Sequence, residues 1–172
     1  LLPWATVKEN VSLGLDIRKF YGPDGTHAPA ASTIKEADID YWIQQLGLLE
    51  HSDKFPGQIS GGQRQRCAIA RTLVLQPDLL LMDEPFSSLD AQTRENLQNL
   101  MIDLWKEHGL TMLTVTHSIE EAAILGQKIL LLQEPPNTNA NMIENPSFGN
   151  KDTRSSMEYI QLCQMLREQL TR

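Results

Sequence analysis

The sequence predicts an α/β protein in which strands alternate with helices. Three observations carry this. Short apolar segments, Leu79–Met82, Met112–Thr116 and Lys128–Gln133, sit between helical stretches. Helix-start signatures, a Ser or Thr followed three residues later by Glu or Gln, recur along the chain. Glycines close several of the stretches that follow. Strands separated by helices imply a parallel sheet. Continuous apolar runs of this length imply strands covered on both faces.

Each element has its own local reason. Thr6 with Glu9 starts a helix expected to end near Gly14. Thr33 with Glu36 starts a second. Ile39, Trp42, Ile43 and Leu46 then recur at helical spacing, and Gly47 stops it. Ser60 with Gln63 starts a third, running to about Leu75 before Pro77. Asp90 caps a fourth, with the stripe Leu97, Leu100, Met101, Leu104 and Trp105, closed by Gly109. Ser118 with Glu121 starts a short fifth that ends at Gly126. Tyr159, Leu162, Cys163, Leu166 and Leu170 mark a final helix. Residues 21–32 read as a loop, and the Pro- and Asn-rich residues 134–154 as a linker or irregular segment.

Composition removes several classes of function. The 172 residues carry 22 acidic and 15 Lys or Arg side chains, a formal charge of −7. With no basic block, nucleic acid is not expected as a partner. Apolar residues reach 41%, enough for a packed core. No apolar run exceeds four residues, so no segment spans a membrane. Cys67 and Cys163 are far apart, which suggests free thiols in a reducing compartment. The chain opens Leu1-Leu2-Pro3-Trp4, without Met or signal peptide, and reads as cut from something longer.

Four constellations carry chemistry. Leu79–Met82 places Asp83 at the C-terminal end of a strand, where open α/β sheets bind ligands. A carboxylate there suits Mg²⁺, and Glu84 beside it suits a water. The plainer alternative is a buried strand ending in two solvated acids. Ser60-Gly61-Gly62-Gln63 is a capped helix start whose backbone N–H groups suit phosphate. An ordinary helix N-terminus explains Ser60 and Gln63, but not two glycines followed by Arg64 and Arg66. Ser87-Ser88-Leu89-Asp90 is either a functional loop or simply the turn that caps the next helix. His117 ends the strand Met112–Thr116 and is either structural or part of the site.

Together the four resemble the ABC ATPases, over residues from about Thr6 to Leu132. Ser60–Gln63 is similar to their signature motif and Leu79–Glu84 to the Walker B strand with its catalytic Glu. Ser87–Asp90 is similar to the D-loop and His117 to the switch histidine. Leu1–Val7, Asp83-Glu84-Pro85-Phe86, and Val115-Thr116-His117 with Glu120-Glu121-Ala122 resemble nitrate, sulfonate and taurine importers. Ser118 and Gln127-Lys128 depart from the commoner Asp and Asp-Arg.

The resemblance implies a P-loop NTPase fold lacking its Walker A part. It implies a helical signature subdomain over 1–76, a parallel-sheet core over 77–134, and a linker and helix over 135–172. No G-x-x-x-x-G-K-[ST] occurs, and the family's Q-loop Gln would lie just before Leu1. Without Walker A, the chain alone is expected neither to bind ATP tightly nor to hydrolyse it.

In the family two ATPase subunits sandwich two ATP molecules head to tail. In cis this chain would offer Asp83 to Mg²⁺, Glu84 to the attacking water and His117 to the γ-phosphate. In trans it would offer Ser60, Gly61 and Gly62 to the partner's γ-phosphate, with Gln63 near the ribose. Asp90 would couple the two sites. The implied partners are a second ATPase subunit, membrane permeases and, indirectly, a solute-binding protein. The implied place is the cytoplasmic face of the bacterial inner membrane.

Leu1, Leu2 and Trp4 either meet the permeases or, the preferred reading, pack on the chain's own helices. Two other functions stay open: a soluble ABC ATPase that transports nothing, and a half-module that completes a partner's site.

Overall fold

A computed structural model describes residues 1–21, 36–132 and 141–170. The expected cap at Thr33, the loop over 22–32 and residues 133–140 lie outside the described residues. The chain forms two units, one of residues 1–80 and 88–93, the other of residues 81–87 and 94–172.

In the first unit, helices α1 (Val7–Tyr21), α2 (Glu36–Gln45) and α3 (Gly61–Leu73) pack on one another. Their apolar stripes form the core: Val7, Val11 and Leu15 from α1, Ile39, Trp42 and Ile43 from α2, and Cys67, Ala70 and Leu73 from α3. Burial pushes the Cys67 thiol up to about 11, which leaves it protonated and inert at neutral pH.

The start of α1 follows the expected box. The Thr6 N–H donates to Glu9 Oε2 at 2.7 Å, and the Glu9 N–H donates to Thr6 Oγ1 at 3.2 Å. Its end does not, because α1 continues through Gly14 to Tyr21. Gly14 is a packing residue rather than a stop: a Cβ there would lie 2.8 Å from Leu75 Cδ1.

Gly47 does stop its helix. Its φ is +65°, a conformation that costs a side-chain-bearing residue energy. There the Gly47 N–H reaches Gln44 O at 2.9 Å and the Leu48 N–H reaches Ile43 O at 2.8 Å, the paired bonds of a Schellman motif. Two short 3-10 helices, Leu49–His51 and Pro56–Gln58, follow where the sequence predicted none.

Trp4 corrects an expectation. It is 73% exposed rather than packed on its own helices. The reason is Asn10, which is buried and accepts from the Leu2 N–H at 2.8 Å. Its amide donates to Ala5 O at 3.0 Å and Thr6 O at 2.9 Å. These bonds fix residues 2–6 against α1, with Ala5 buried and Trp4 outside.

In the second unit, β1 (Leu80–Asp83) and β2 (Met112–Val115) are hydrogen-bonded neighbours. The strands are not covered on both faces among the described residues. Met82 is buried, while Leu81, Leu113 and Val115 are exposed.

β3 (Lys128–Leu131) departs from the expected parallel pairing. It pairs antiparallel with β4 (Asn141–Glu144), with Lys128 opposite Glu144 and Leu131 opposite Asn141. This strand replaces part of the expected irregular segment, and a 3-10 helix forms over Lys151–Ser155. Asn145 holds the arrangement. Its side-chain amide donates to Ala123 O at 2.9 Å and Gly126 O at 2.8 Å, while its own N–H reaches Gln127 O.

Helices α4 (Ala91–His108), α5 (Ile119–Leu125) and α6 (Met157–Leu170) complete the chain. Ala123, Ile129, Leu162, Cys163 and Leu166 form a core that joins α5, β3 and α6. The final helix is therefore built into its unit. Both cysteines are buried and free.

Candidate functional site

The candidate residues fall into one cluster per unit. In the second unit, β1 delivers Asp83 and Glu84 to its C-terminal end. Glu84 has φ +48°, a left-handed conformation that costs a non-glycine residue about 1–3 kcal/mol. Its backbone is pinned from two sides: the Glu84 N–H donates to Val115 O at 2.9 Å, and its carbonyl accepts from Ser87 Oγ at 3.0 Å. Strain held this firmly aims the side chain.

The Glu84 carboxylate meets His117, whose Nδ1 lies 2.6 Å away. The two lie 33 positions apart in sequence and come together because β1 and β2 are neighbours. The hydrogen bond to Glu84, and then its charge, hold the His117 pKa above its ordinary value.

The corner that carries His117 is itself clamped. Thr116 Oγ1 donates to Glu121 Oε2 at 2.6 Å and accepts from the Ser118 N–H at 3.1 Å. The Glu121 N–H donates to Ser118 Oγ at 3.2 Å, the expected cap of α5. The Glu121 side chain is only 7% exposed, and Arg94 lies 3.7 Å from its other oxygen. Arg94 Nε also donates to Phe86 O at 3.4 Å. One ion pair, with its carboxylate side buried, thus connects the loop after Glu84 to the segment that bears His117. The sequence shows Glu121 only as a capping partner, and nothing local marks Arg94.

In the first unit, Ser60 and Gln63 close the expected box. The Gln63 N–H donates to Ser60 Oγ at 3.2 Å, and the Ser60 N–H donates to Gln63 Oε1 at 2.8 Å. Gln63 Nε2 lies 2.6 Å from His51 Nε2. The two glycines differ. A Cβ on Gly61 would meet nothing closer than 3.8 Å, whereas one on Gly62 would lie 2.3 Å from Thr93 Cγ2. The space left by Gly62 is thus filled by the chain itself, and Gly61 is the open position. Asp90 caps α4, with its Oδ1 accepting from the Thr93 N–H at 3.0 Å. Hydrogen bonds from Thr93, side chain first, hold the Asp90 carboxyl below its ordinary range.

Among the described residues, no cluster of three His, Cys, Asp or Glu could build an all-protein metal cage. Mg²⁺ needs none, since it keeps several waters and binds through one or two carboxylates plus phosphate oxygens. The exposed Asp83 carboxylate at the strand end fits that use.

A sequence profile of the ABC transporter family matches residues 1–87, just over half of the 172. The chain belongs to the ABC transporter family. It is 37% identical over 154 residues to the bicarbonate transport ATP-binding protein CmpD of Synechocystis sp., covering 90% of this chain and 52% of that protein. It is 41% identical over 136 residues to the taurine import ATP-binding protein TauB of Pseudomonas aeruginosa, covering 79% and 48%.

A chain from an inward-facing structure, described as a metal-chelate type ABC transporter, aligns with a TM-score of 0.64 at 29% identity. The alignment covers 84% of this chain and 55% of that one. The chain thus has the α/β fold of an ABC ATPase and spans about half the length of the relatives it matches. No helix among the described residues is long and apolar enough to cross a membrane.

Proposed function

We propose that the whole protein is the ATP-hydrolysing subunit of an ABC importer. It would energise uptake of a small solute of the nitrate, sulfonate or taurine type. The observation that carries this reading is the contact between Glu84 and His117, made by a strained Glu at the end of a strand. The relatives are import or transport ATP-binding proteins, including one for bicarbonate, which widens the range of small solutes.

Each residue then has a task. Asp83 would hold Mg²⁺, which would supply positive charge against the phosphates. Glu84 orients and polarises the attacking water, because its carboxylate can accept a proton at the reacting centre. His117 holds Glu84 in place and presents its other nitrogen, Nε2, to the γ-phosphate. Ser60 and Gly61 serve a partner subunit's γ-phosphate with a hydroxyl and a helix-start N–H. Gly62 assists by letting Thr93 pack close beneath the motif. Gln63 closes the box on Ser60 and lies near the ribose edge, and Asp90 links the paired sites.

The partners are a second copy arranged head to tail, integral permeases and, through them, a solute-binding protein. The place is the cytoplasmic face of the bacterial inner membrane. The 172 residues contain no Walker A loop, so the isolated chain is inactive on this reading.

The test is Glu84→Gln in the whole protein assembled with its permeases. Loss of a general base lowers turnover by about 10²–10⁴-fold, while ATP binding persists. Unchanged turnover would remove Glu84 from the mechanism.

A further inference from the structure

We infer that His51 is a positioning residue for the signature motif. Its ring accepts a hydrogen bond from Gln63 and so locks the capped start of α3. The inference rests on the reading of Ser60–Gln63 as a phosphate-contacting motif.

The logic starts at a backbone amide. The Ser60 N–H can only donate, and it faces Gln63 Oε1 at 2.8 Å. That contact fixes which end of the Gln63 carboxamide is which. The other end is therefore an NH₂ group, which can only donate. It faces His51 Nε2 at 2.6 Å. A ring nitrogen opposite a donor must carry its lone pair, so His51 is the neutral tautomer with its proton on Nδ1. Nδ1 is buried and, among the described residues, has no hydrogen-bond partner.

The opposite tautomer would set two donors against each other at Gln63 and release the box. The backbone that carries the ring is anchored. The His51 N–H donates to Leu48 O at 2.9 Å, and its carbonyl accepts from the Lys54 N–H at 3.0 Å. Leu48 is fully buried. The turn after α2 therefore braces the N-terminus of α3 through a single imidazole. Gln63 is held against Ser60, and the open Gly61 keeps its place in the helix start.

The experiment is heteronuclear NMR on the ¹⁵N-labelled whole protein and two variants. In the unsubstituted chain, the ring correlations of His51 show the proton on Nδ1, and the Gln63 side-chain NH₂ exchanges slowly with solvent. In His51→Leu, that exchange rises about fivefold, the equivalent of one hydrogen bond. In His51→Gln, whose side-chain oxygen can accept, slow exchange returns. The backbone amides of Cys67 and Leu73 stay protected throughout.

A proton on Nε2, or Gln63 exchange that ignores His51→Leu, would overturn the assignment. Should His51→Leu not fold, the tautomer and His51→Gln decide it alone. No nucleotide enters this readout, so its outcome is independent of the ATPase reading. In the whole protein His51→Leu lowers maximal ATP turnover without changing ATP affinity, and His51→Gln regains it. Unchanged turnover would also overturn the role, whereas no turnover in the unsubstituted protein would instead count against the ATPase reading.

Discussion

At the scale of single residues, Glu84 and His117 depend on each other. The Glu84 carboxylate raises the His117 pKa, so the folded state favours the protonated ring. The stabilisation from this pair is fully present below the unfolded value near 6.5 and is lost as pH rises through the higher folded value. His117 is largely exposed, so solvent screens much of it. Glu84→Gln removes the charge. The His117 titration midpoint, followed by NMR, should then move down toward the ordinary histidine value. A midpoint that stays high would assign the shift to some other group. Sequence alone placed both residues at strand ends, but the 2.6 Å contact depends on which strands are neighbours. The strained φ of Glu84 and the Arg94–Glu121 clamp are likewise products of tertiary packing, with no short pattern to signal them.

At the scale of elements, the caps were the most legible part of the chain. A helix N-cap closes within four residues, so Thr6–Glu9, Ser60–Gln63 and Ser118–Glu121 could be read locally, although the Glu121 side chain turns to Thr116 instead of completing a box on Ser118. Helix ends were less so. Gly14 and Gly47 look alike in sequence, yet one fits beneath Leu75 and the other takes a left-handed turn. Only Gly47 should resist a side chain on conformational grounds. Gly47→Ala is expected to destabilise the fold by about 1–2 kcal/mol, seen as a lower urea midpoint with an unchanged slope. No loss of stability would mean that the turn relaxes freely. The strand Asn141–Glu144 was illegible for a different reason. Its pairing is set by Lys128–Leu131 and by the Asn145 staple, both outside its own four residues.

At the scale of the whole molecule, the chain is two units that carry different parts of the proposed site. The first holds the capped start of α3, and the second holds Asp83, Glu84 and His117. The C-terminal helix is integral to the second, since Leu166 is fully buried beside Ala123 and Ile129. Leu166→Ala should therefore cost about 2–5 kcal/mol by denaturant unfolding, whereas a loosely attached tail would lose almost nothing. The acidic balance of the chain remains compatible with ATP. On the proposed reading a single nucleotide would be held by local N–H groups and Mg²⁺ rather than by net charge.

The central claim is that each subunit supplies Glu84 to its own ATP and the Ser60 motif to its partner's. The most direct measurement mixes two disabled forms of the whole protein, Glu84→Gln and Ser60→Arg, and follows ATP turnover. Each form alone should be inactive. A mixed pair rebuilds one intact site, with Glu84 from one subunit and Ser60 from the other, so partial turnover should return on mixing. If the mixture stays as inactive as its parts, while unsubstituted subunits exchange freely under the same conditions, the shared-site account is wrong.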